Sequence, residues 1–99
     1  MSRDIDQIIE RVKRLIPDVK VQQLQVSHPG ADDDGLWYFS LPGIVKDIQI
    51  ESTYGMCPFL VEHDDMKSSS DAETARTVEE AVEKVVAYLT ALKDLPGTR

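Results

Sequence analysis

Glu62-His63-Asp64-Asp65 brings three carboxylates and an imidazole into one stretch, a donor set chemically sufficient for a divalent metal or for general acid–base work. The setting restricts it. These residues fall where an alternating apolar run gives way to polar sequence, and successive strand residues point to opposite faces. Glu62 and His63 therefore meet one ligand only if the strand ends between them. Cys57 precedes His63 by six positions, roughly 20 Å at ~3.3 Å per residue of regular strand, so the two cannot share a zinc ion. A metal-binding or small enzymatic domain centred on Glu62, His63 and Asp64 is an alternative carried by residue type rather than by spacing.

The other reactive groups are weaker. Asp32-Asp33-Asp34-Gly35 has the oxygens calcium needs but not the alternating ligands and terminal glutamate of an EF-hand loop, and reads as a solvated turn. His28, next to Pro29, meets His63 only if the fold folds it back. Cys57, the single cysteine, reads as a small buried hydrophobe, because a nucleophilic thiol needs a base and positive surroundings that no neighbour supplies. Gly30, Gly35, Gly43, Gly55 and Gly97 are scattered, and none opens a phosphate-binding loop. The expectation is no catalytic residue and no cofactor.

Charge narrows the partners. Eighteen acidic residues against eleven basic give a net charge of −7, which opposes nucleic acid and anionic membrane surfaces and favours a basic patch on another protein. Met1-Ser2-Arg3-Asp4-Ile5-Asp6 lacks the apolar segment of a secretory signal, and the longest apolar run is Val85 to Leu89, too short to span a bilayer. With one cysteine and no possible intrachain disulfide, a cytoplasmic location is expected.

The elements that would position these groups follow from periodicity. Ile5, Ile8, Ile9, Val12, Leu15 and Ile16 recur at spacings of three and four, predicting a helix over 4–16, capped by Asp4 with Gln7 and stopped by Pro17. Alternation then predicts strands over 19–27, with a phase slip at Gln22-Gln23 that a β-bulge would absorb, and over 36–41, 47–53 and 57–63. Pro58 removes a ladder hydrogen bond, so the last of these begins there or has an open edge. Residues 64–76, with Ser68-Ser69-Ser70 at the centre, read as a mobile connection. Thr77-Val78-Glu79-Glu80 then opens a helix over 78–94, with Val78, Ala81, Val82, Val85, Val86, Leu89 and Leu92 on its apolar stripe.

The expected architecture is a single α+β domain over 1–99, in the order α-β-β-β-β-α, with a four-stranded antiparallel meander and both helices on one face. If Ile48 and Ile50 face the helices, Gln49 and Glu51 face outward. Strand 36–41 then leaves outside either Leu36 and Tyr38 or Trp37, Phe39 and Leu41, and Pro58 and Leu60 join them if Phe59 and Val61 point inward. The resulting open face, apolar around an acidic centre, is where a partner would dock: Leu36, Tyr38, Gln49, Glu51, Tyr54, Pro58 and Leu60. The expected function is non-catalytic protein binding, for example by an inhibitor or immunity-type protein. A homodimeric adaptor joined through the same face or a free strand edge is the other binding alternative.

Overall fold

A computed structural model describes residues 3–23, 35–52, 55–64, 66 and 72–94. Helix α1 (Asp4–Leu15) buries Ile5, Ile8 and Val12, as the three-and-four spacing requires. Its start corrects the sequence expectation. Arg3 is the N-cap residue, and its backbone N–H donates to the carboxylate of Asp6 at 2.9 Å. Asp4 is instead the first helical residue, and its side chain accepts the N–H of Cys57 at 2.9 Å. At the other end Ile16 N–H closes on the Val12 carbonyl at 2.8 Å, ahead of Pro17. Helix α2 (Val78–Asp94) starts as expected, with Thr77 Oγ1 accepting the N–H of Glu80 at 3.1 Å. It buries Ala81, Val82, Val85, Leu89 and Leu92. Lys93 joins Asp18 at 3.0 Å, which ties the end of α2 to the turn that follows α1.

Among the described residues the sheet is an antiparallel meander of five strands, not four, in the order β1-β2-β3-β4-β5. These are β1 (Lys20–Gln23), β2 (Leu36–Ser40), β3 (Asp47–Glu51), β4 (Phe59–His63) and β5 (Glu73–Ala75). β5 lies inside the stretch 64–76 that the sequence presents as a mobile connection. Three residues of which only Ala75 is buried carry no periodicity to read. The strand exists through its pairing with β4, Phe59 opposite Ala75 and Val61 opposite Glu73. β4 begins at Phe59, after Pro58, which follows Cys57 through a cis peptide bond. β1 starts at Lys20 rather than at Val19, and the rest of the expected strand 19–27, with Leu24 and Val26 beyond the expected bulge, lies outside the described residues.

Register decides which side chains meet the helices. Phe39 pairs with Ile48, and Trp37 with Ile50, while Ile50 pairs with Val61. All five are buried, and with Phe59 they form one core with α1 and α2. The Trp37 and Phe59 rings pack edge to face at 6.5 Å between centroids, a favoured arrangement of ring quadrupoles. The open choice at β2 is therefore settled with Trp37, Phe39 and Leu41 inside.

The β3–β4 connection is pinned to α1. Gly55 has φ +70°, and a Cβ there would stand 2.7 Å from Ile5 Cγ2 and 3.3 Å from Trp37. Only glycine accommodates both the backbone angle and the close approach. The Cys57 N–H bond to Asp4 fixes the same segment from the other side, and Ser52 Oγ donates to the Met56 carbonyl. Among the described residues no helix is long and apolar enough to cross a membrane.

Candidate functional site

The sheet face turned away from the helices is organised as cross-strand rows. One row runs Gln22, Tyr38, Gln49, Glu62, and the next runs Leu36, Glu51, Leu60, Thr74. A third, toward the β2–β3 turn, sets Lys20 opposite Ser40 and Ser40 opposite Asp47. Residues directly opposite in an antiparallel pair stand about 4.5–5.5 Å apart at Cβ. Leu36 and Leu60 therefore flank Glu51 closely, and Gln22 and Gln49 flank Tyr38. Leu36, Tyr38 and Gln49 are half-buried by these neighbours, while Glu51 and Leu60 are exposed.

Polar contacts hold the face in order. Gln49 Nε2 donates to Glu62 Oε2 at 3.4 Å. Asp64 accepts the backbone N–H of Asp47 at 3.0 Å, and the Asp64 N–H returns to the Asp47 carbonyl at 3.4 Å. Partial burial, and then the charge of Asp64, push the Asp47 carboxyl above its ordinary value. Negative charge thus accumulates toward β4, through Asp47, Glu51, Glu62 and Asp64, and Lys20 lies at the β1 end.

Of the residues expected at a docking surface, Leu36, Tyr38, Gln49, Glu51 and Leu60 share this face. Pro58 is exposed immediately before β4, and Tyr54 lies outside the described residues. Met56, which sequence reasoning passed over, is 45% exposed next to Pro58. Between Gly55 and Cys57-Pro58 it belongs to no periodic run that could have singled it out.

The cluster Glu62-His63-Asp64 is divided by the pleat. Glu62 points to the open face and meets Gln49. His63 points under α2, where its ring stacks on Tyr88 at 4.2 Å between centroids and 21° between planes. Asp64, exposed, bonds to Asp47. Among the described residues no three or more of His, Cys, Asp and Glu are grouped to hold a metal ion. His28, Asp32, Asp33, Asp34 and Asp65 are not among those residues. Cys57 is partly buried against the core. Burial first, then the hydrogen bond and charge of Asp4 and the charge of Glu80, push its thiol up to about 11. A thiol held protonated at neutral pH is a poor nucleophile.

A second group of polar side chains was not legible in the sequence. On the helix side, at the β4–β5 edge, His63, Glu73, Lys84 and Tyr88 line a cleft of about 370 Å³, and Lys84 Nζ bonds to Glu73 Oε1. Lys84 and Tyr88 stand four apart on α2, a spacing that places them on one face. Their partner Glu73 falls in a segment that reads as loop, so nothing in the sequence joins the two. Comparison with protein-family models, curated proteins and solved structures gives no match.

Proposed function

We propose that this chain is a non-catalytic protein-binding module whose open sheet face docks on a more basic partner protein, in the manner of an inhibitor or immunity-type protein. One observation carries the reading. Leu36, Glu51 and Leu60 lie in register across three strands beside Tyr38, Gln49 and Glu62. This is an aromatic and aliphatic centre with carboxylates set between and beside it. Tyrosine is a favoured anchor at interface centres, and exposed acidic groups steer a basic partner and fix its orientation. The net charge of −7 acts in the same direction. The single partly buried thiol agrees with work in a reducing, cytoplasmic setting.

The test is copurification from an extract of the source cells, identification of the retained protein, and reconstitution with that partner in pure form. Wild type should bind it with an affinity that falls as salt rises. Tyr38→Ala and Glu51→Lys should each weaken binding at least about tenfold, the scale of one interface anchor. A reconstituted partner that binds both variants as tightly as wild type sinks the reading. A stable dimer of the chain alone that Leu60→Glu splits without unfolding assigns the face to a second copy instead.

A further inference from the structure

The cleft between β4, β5 and α2 lies on the opposite side of the sheet from the open face and stands independently of what docks there. Its walls are of two kinds. Ile48 and Val61, each 1% exposed, form its floor, exposed Ala87 of α2 stands on one wall, and the stacked rings of His63 and Tyr88 close one side. Lys84 and Glu73 supply one positive and one negative charge, bonded to each other. Their side chains are 29% and 52% exposed, so the pair is partly solvated and readily exchanged for another with the same two charges.

That arrangement selects its ligand by charge. A simple anion entering beside Lys84 meets Glu73 and the field of a chain with net charge −7, and a simple cation meets Lys84. A molecule carrying an ammonium and a carboxylate on one carbon satisfies Lys84 and Glu73 together and leaves neither unpaired. At about 370 Å³ the cleft is near the lower end of ligand pockets, about 300–1,000 Å³, and suits a small molecule. We propose that it binds a free α-amino acid with an apolar side chain, its carboxylate on Lys84, its ammonium on Glu73 and its side chain against Ala87 and the His63–Tyr88 rings.

The full chain holds two histidines, so the His63 ring protons can be followed by NMR while leucine is added. A saturable shift of the His63 signal is expected. Leucine should bind at least about tenfold more tightly than 4-methylpentanoate or isopentylamine, which are leucine without its ammonium or without its carboxylate. Ala87→Trp, at an exposed helix position, fills the cleft and should abolish the shift. Lys84→Met should weaken binding about tenfold or more, with circular dichroism confirming that both variants fold. No saturable shift up to the solubility of leucine overturns the proposal. So does equal binding of the two analogues, or leucine binding undiminished in a folded Lys84→Met.

Discussion

The two faces of β3 differ by one residue of phase and by nearly everything else. Ile48 and Ile50 are 1% and 0% exposed and stand among Trp37, Phe39 and Val61. Asp47, Gln49 and Glu51 on the other side stand opposite Ser40, Tyr38 and Leu36 of β2 and reach solvent. Full burial of an aliphatic or aromatic side chain is worth about 1.5–3 kcal/mol, so the inner face carries the stability. The open face adds little to it. Its tyrosine, leucines and carboxylates are therefore free to be arranged for something other than folding, and this makes it the better place to look for a partner.

The largest expected effect tests that division directly. Phe39→Ala or Phe59→Ala, each removing a fully buried ring, should cost about 3–5 kcal/mol. Tyr38→Ala, one residue away on the open face, should cost under about 1 kcal/mol. Urea titration measures both, as a shift of midpoint at constant slope. If Tyr38→Ala proves as costly as Phe39→Ala, the open face is part of the stabilising structure and the contrast fails.

Gly55→Ala should come next. The added methyl meets Ile5 Cγ2 at 2.7 Å and the residue is held at φ +70°, so a loss of about 2 kcal/mol is expected by thermal or urea unfolding. The effect arises through α1 and the inner face, and binding by the open face should survive wherever the variant is folded. A fully stable Gly55→Ala would show that the loop is not pinned to α1 as described.

The same loop explains what the sequence showed and what it withheld. Ile5, Ile8 and Val12 announce α1 because helical spacing is local, and Ile48-Gln49-Ile50-Glu51 announces β3 for the same reason. The rows Leu36–Glu51–Leu60 and Tyr38–Gln49–Glu62 needed more, because β2 is apolar on both faces and leaves its own phase open, and which residues stand opposite is set by the register of the assembled sheet. Asp4 was misread as a cap because its partner, the Cys57 N–H, is 53 residues away. β5 was invisible because Glu73-Thr74-Ala75 is a strand by pairing rather than by pattern. The destination of His63 depended on where β4 ends and on Tyr88 of α2. Local chemistry was legible, and contacts made only by the assembled fold were not.

Cys57 sharpens the comparison from the inner side. Its thiol is held up to about 11, so alkylation by iodoacetamide should be slow at pH 7.5 and keep accelerating as pH rises through 9 and 10, where an unstructured thiol has already levelled off. The raised value stabilises the fold below the ordinary thiol range, and that contribution is lost as pH climbs through the folded value. Burial is the main cause and Asp4 the next. Asp4→Asn should therefore accelerate alkylation at pH 8 without bringing it to the rate of the unfolded chain. An unchanged rate would remove Asp4 from the account.

The smallest effect belongs to the open face. Partial burial and the neighbouring Asp64 raise the Asp47 carboxyl, so its ionised form is less favourable in the folded chain than in the unfolded one. A raised carboxyl contributes stability that is complete below the ordinary carboxylate range and is lost as pH rises through the folded value. At neutral pH, therefore, the charge on Asp47 opposes folding. Asp47→Asn keeps the backbone N–H that Asp64 accepts and removes the charge. It should stabilise at pH 7 by about 0.5 kcal/mol, a figure kept small because the side chain is half-exposed and screened. In acid, where Asp47 is protonated in both states, the gain should disappear. A gain that persists unchanged in acid would have another origin than charge. A gain at pH 7 accompanied by weaker binding of the basic partner would show that this carboxylate is kept on the open face against the interest of the fold.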